Sequence, residues 1–134
     1  MFTSVIRSKR TTRTLIVYAA FTLFSLAVSE IYARFSHGVS SVFMTWLFCI
    51  PLIFGVAAFA LGALLHFPPM PRAAFNLYNS AVAAAATASL LRGVLEIAGT
   101  SSPLLIVFPL TAGIFAAAAL VLWILAVPRG KAQA

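Results

Sequence analysis

Apolar residues run almost unbroken through four stretches of the chain, near residues 14–35, 42–65, 73–97 and 103–127, and polar residues collect in the short intervals between them. A helix of about 20 predominantly apolar residues crosses the hydrocarbon core of a bilayer, and each stretch reaches that length. The pattern predicts an all-α fold, an integral membrane antiparallel four-helix bundle, with residues 1–134 forming a single transmembrane domain. Almost no chain is left for a soluble domain.

The intervals suggest how the helices connect. Those at 37–41 and 99–102 are short and rich in Gly, Ser and Thr. The interval 66–72 contains Pro68, Pro69 and Pro71, which cannot continue a helix and hold the chain extended. Two helical hairpins joined by a proline hinge are therefore expected. A faint internal repeat pairs Pro51-Leu52-Ile53-Phe54-Gly55 with Pro109-Leu110-Thr111-Ala112-Gly113, and Glu30-Ile31 with Glu96-Ile97. A duplication of this kind would relate the hairpins by an axis along the membrane normal.

Composition agrees with the membrane reading, at 63% hydrophobic and 8% charged residues and a mean hydropathy of +1.07, values foreign to soluble domains. The net charge of +7 would point to nucleic acid in a soluble protein. Here the basic residues flank spans. Arg7, Lys9, Arg10 and Arg13 precede the first, Arg72 lies between the second and third, and Arg129 and Lys131 follow the fourth. The positive-inside rule makes that side cytoplasmic, with both termini inside and the lipid bilayer, not nucleic acid, as the partner of these charges. Cys49 is the only cysteine, so no intramolecular disulfide forms.

The acidic residues are Glu30 and Glu96, and each lies four positions from an arginine within an apolar stretch. Charges at membrane depth are costly and are read as functional by default. Glu30 precedes Arg34, whereas Arg92 precedes Glu96, so with the first and third spans parallel Glu30 is level with Arg92 and Arg34 with Glu96. Two cross-helix pairs are then expected beside the two pairs within each helix. Such a neutral quartet would lock the two helices together or floor a polar cavity open to the outside. Pro51 and Pro109, in the outer halves of the second and fourth spans, would splay the bundle on that side.

His37 follows the first span, one turn past Arg34, with Tyr32 and Met44 nearby in sequence. A histidine at a helix end is commonly a solvated interfacial residue. Imidazole with methionine is also an axial ligand set for haem, and arginines suit its propionates. With His66 at the inner end, out of reach of the same site in a monomer, a single histidine without a cysteine cluster makes structural zinc a poor fit, and no phosphate loop or nucleophile elbow marks an enzyme. The Ala-rich third span, from Ala81 to Ser89, reads as a packing or homodimer seam.

At Glu30-Ile31-Tyr32, Phe35-Ser36-His37-Gly38-Val39, Asn76-Leu77-Tyr78-Asn79-Ser80, Arg92-Gly93-Val94-Leu95-Glu96-Ile97 and Gly99-Thr100, the chain resembles small four-span bacterial membrane proteins. Some of these are associated with haem tolerance through binding and sequestration in the membrane. The resemblance implies a bacterial cytoplasmic membrane protein that binds haem or another planar amphipathic cofactor and is not an enzyme. His37 would be the metal ligand, Arg34 and Arg92 would lie near the propionates, and Glu30 and Glu96 would hold those arginines, with Tyr32 and Met44 close by. The glutamate of the first span and the Arg-Phe-Ser-His-Gly turn also look like small multidrug resistance transporters, which exchange protons for cationic drugs. The arginines beside Glu30 would repel such cations. A third reading is a structural accessory subunit of a membrane complex.

Overall fold

The computed structural model describes residues 2–132, with side chains over 9–127. The side chains of Arg7, Arg129 and Lys131 therefore lie outside the described residues. Every regular element among the described residues is helical: α1 (Phe2–Phe35), α2 (Val42–Thr45), α3 (Cys49–Pro51), a π-helical stretch (Leu52–Ala57), α4 (Ala58–Leu64), α5 (Arg72–Ile97), a 3-10 turn (Pro103–Ile106) and α6 (Val107–Ala132). Lys9–Phe35, Arg72–Ile97 and Pro103–Val127 are each long and apolar enough to cross a membrane. At 1.5 Å per residue they measure about 40 Å. The second apolar stretch differs from the single helix expected over 42–65: it is broken into short pieces, and Cys49–Leu64 is its longest run.

Pro51 is one physical reason for the break. It has no N–H to give, and the Leu47 carbonyl instead accepts from Ile50 N–H at 3.3 Å. The chain then widens into the π-helical turn. Three carbonyls along the irregular path are met by side chains of the flanking helices: Ser29 Oγ donates to Met44 O at 2.6 Å, Ser89 Oγ to Phe43 O at 2.8 Å and Tyr78 Oη to Phe54 O at 2.6 Å. Buried carbonyls left without donors are destabilising, so Ser89→Ala is expected to cost about 1 kcal/mol in unfolding measured in micelles, and Ser29→Ala less, because Met44 O keeps the Leu47 N–H at 3.3 Å.

α1 turns a polar stripe inward: Tyr18, Thr22, Ser25 and Ser29, spaced by four, three and four residues, are all buried against the second segment. Tyr18 Oη donates to Asn79 Oδ1 of α5 at 2.6 Å, which ties α1 to α5. α5 packs along α6 on one side and against α2 and α3 on the other. Met44, Leu47 and Ala86 form the apolar centre, joined by Phe21, Val28 and Leu90. Gly93 permits the close approach there, because a Cβ added to it would come within 2.9 Å of Met44 Cβ and 3.0 Å of the Met44 backbone nitrogen. Gly93→Ala is therefore expected to push α2 off α5 and lower stability by about 1 to 3 kcal/mol, read by the same unfolding assay.

Contacts at the two ends establish the antiparallel order. At one end Trp123 Nε1 donates to Pro68 O at 3.1 Å, and the Arg10 guanidinium lies 4.4 Å over the Phe75 ring. The start of α1, the proline connection and the last part of α6 thus meet. At the opposite end Ser41 Oγ donates to Glu96 Oε2 at 2.6 Å. The second segment consequently runs the full distance between the ends despite its breaks. The repeated Pro-Leu motifs do not produce matching structures: Pro51 is buried before the π-helical stretch, whereas Pro109 sits in the first turn of α6, where a missing N–H is tolerated.

Candidate functional site

The inward phase of α1 decides what becomes of the expected quartet. Ser29 faces the second segment, so Glu30, one residue and about 100° further on, turns away from it. Glu30, Tyr32, Arg34 and His37 are all exposed. Among the described residues the one ion pair is Arg92 Nε to Glu96 Oε1 at 3.4 Å, within α5. The cross-helix pairs Glu30 with Arg92 and Arg34 with Glu96 do not form. α2 lies between the two helices at this level, with Met44 against Gly93 on one side and bonded by Ser29 on the other.

His37 has a local conformational role. Val39 N–H closes a turn onto Ser36 O at 3.1 Å, and the two residues inside it have positive φ, 53° at His37 and 90° at Gly38. This is the pattern of a type I′ turn, which glycine accepts freely and histidine tolerates better than most residues. The turn carries α1 into the buried Ser41, which is 3% exposed.

What the structure does assemble at this end is a cleft of about 660 Å³ between α2 and α3 on one side and α5 and α6 on the other. Its walls are mostly apolar, including Ile50, Ala85, Ala88, Leu105 and Ala112, and Arg92 and Glu96 bring the charge. The Arg92 guanidinium lies 4.2 Å over the Phe43 ring, a favourable cation–π arrangement. One Glu96 oxygen accepts from Ser41 and the other from Arg92 Nε. The carboxylate is thus shared between two donors, and the remaining N–H groups of the half-exposed arginine have no hydrogen-bond partner among the described residues. No known protein family, curated protein or solved structure matches the chain.

Of the residues expected to bind a cofactor, Arg92 and Glu96 line the cleft, while Glu30, Tyr32, Arg34 and His37 do not. Met44 is buried beside Gly93, behind the same helix. No group of three His, Cys, Asp or Glu side chains able to hold a metal occurs among the described residues. The structure thus does not bring His37, Arg34 and Arg92 together in one cavity. The Ala-rich face of α5 is used within the chain, with Ala86 in the apolar centre and Ala85 and Ala88 facing the cleft shared with α6.

Charge alone does not reveal Ser29, Ser41, Ser89, Tyr18 and Tyr78. The four-three-four spacing from Tyr18 to Ser29 is the signal that identifies the inward face of α1.

Proposed function

We propose that this protein crosses the membrane four times, with both termini cytoplasmic, and binds an amphipathic anion non-enzymatically in the Arg92 cleft. The cleft itself carries the proposal, being an apolar slot with a single arginine whose fork is partly uncommitted. An apolar body would lie along the alanines of α5 and α6, and an acidic group would pair with Arg92. The membrane reading is supported by large apolar side chains that face outward along the helices, among them Leu23, Phe24, Leu110, Ile114 and Leu125, each more than half exposed. Lys9, Arg10, Arg13 and Arg72 lie toward the end marked by the proline connection, which the positive-inside rule makes cytoplasmic. The broken second segment would complete the fourth crossing, its free carbonyls shielded by serine and tyrosine hydroxyls as membrane breaks require. Reporter domains fused to either terminus are expected to be active only in the cytoplasm; an external terminus would refute the topology.

Haem is the first ligand to test, as a planar molecule with an apolar body and acidic groups. Because His37 is outside the cleft, His37→Ala is expected to leave haem affinity within about twofold of wild type, whereas Arg92→Leu weakens it strongly. The reverse result would move the site to the turn after α1.

A second reading, a small transporter, is favoured by the discontinuous second helix, since interrupted helices often form the sites of transporters. Uptake of the same ligand by sealed vesicles containing the protein would establish it, and binding without uptake would exclude it.

A further inference from the structure

Two further cavities lie at the opposite end of the bundle. One, of about 510 Å³, is bounded by α1, α4, the proline connection and Trp123; the other, of about 500 Å³, runs between α1 and α5 past Val17, Phe21 and Val82. Both are lined by Arg10, Thr14 and Phe75, so a single arginine stands between two apolar slots. Arg13 joins it on the second. The Arg10 guanidinium stacks on Phe75 and, among the described residues, makes one long contact, 3.5 Å, to Met70 O, which leaves most of its donors without a partner there and open to an anion. No acidic side chain lines either cavity. Glu30 and Glu96, the chain's only acids, lie toward the other end.

We propose that this is a site for an anionic phospholipid of the cytoplasmic leaflet, with its phosphate on Arg10 and Arg13 and one hydrocarbon tail in each cavity. Two apolar slots meeting at a basic group match a two-tailed anion, and the absence of nearby acids favours a charged headgroup over a zwitterionic one. Trp123 and Phe67 form an aromatic edge of the kind that sits at headgroup level. The site rests on the membrane reading of the chain but not on ligand binding in the Arg92 cleft.

Trp123 supplies the readout. Trp46→Phe leaves it as the only tryptophan, and the protein in nanodiscs of phosphatidylcholine is doped with phosphatidylglycerol brominated near the headgroup end of its tails. Trp123 fluorescence is expected to be quenched more by this lipid than by equally brominated phosphatidylcholine, and to saturate at a low mole fraction. Arg10→Gln with Arg13→Gln should reduce the preference by roughly tenfold or more, whereas Arg10→Lys with Arg13→Lys, which keeps both charges, should retain most of it. Equal quenching by the two lipids would overturn the site. So would a preference that grows in proportion to the anionic lipid without saturating, or one that survives in the glutamine variant. Haem titration of the same nanodiscs reports the Arg92 cleft separately, so failure of either site is distinguishable from failure of the other.

Discussion

Gly55→Ala is expected to destabilise the bundle by about 3 kcal/mol or more, the large end of what overpacking a core produces. Gly55 is buried in the π-helical stretch, and a Cβ built on it would overlap the Cγ and Cδ1 atoms of the Tyr18 ring. The ring cannot retreat cheaply. It is buried, stacks on Phe59 at a centroid distance of 5.7 Å and holds Asn79 through its hydroxyl. Moving it would break the Asn79 bond and open the joint between α1 and the second segment. The double variant Tyr18→Ala, Gly55→Ala should therefore be more stable than the sum of its single changes implies, by about 1 to 3 kcal/mol, in unfolding curves recorded in micelles. Additive losses would show that the glycine matters for the π-helical backbone and not for the ring.

Arg92→Leu is expected to have the largest effect on binding, a loss of roughly ten- to hundredfold in affinity for an amphipathic anion, since a hydrogen bond to a charged group contributes about 1.5 to 3 kcal/mol. Stability should barely change, because Arg92 and Glu96 are 59% and 40% exposed and form an ordinary pair one turn apart on a helix. Arg92→Lys should fall between, keeping the charge but losing the planar fork and its stacking on Phe43. Glu96→Gln should act in the opposite direction and tighten binding, because it removes the only negative charge lining the cleft. Calorimetric titration of the variants would show these opposed signs. Weaker anion binding in Glu96→Gln would instead place the ligand contact on the carboxylate.

The extent of each helix was legible where long apolar runs end at glycine or proline. Gly99, with φ of 73°, closes α5 through bonds from Gly99 N–H to Glu96 O at 3.1 Å and Thr100 N–H to Leu95 O at 2.9 Å, the usual glycine stop. The break in the second segment was only partly legible. Pro51 signals a lost bond, but the stability of the irregular path depends on Ser29, Ser89 and Tyr78, which are distant in sequence and adjacent only once the helices pack. The expected cross-helix ion pairs do not form, for a reason of helical phase. Matching Glu30 with Arg92 by depth ignored rotation about the axis, and the buried Tyr18, Thr22, Ser25 and Ser29 define an inward face to which Glu30 does not belong. On α5 the same logic works in reverse, since Gly93 faces Met44 and leaves Arg92 and Glu96 at the edge of the cleft.

Titration of the wild-type protein in nanodiscs with metal-free protoporphyrin tests binding in the cleft most directly, since without iron no axial ligation can contribute. Saturable binding of one porphyrin per chain, displaced by a second amphipathic anion and lost in Arg92→Leu, is the expected result. Binding that never saturates, or that is equal in wild type and Arg92→Leu, would contradict a ligand site in the Arg92 cleft.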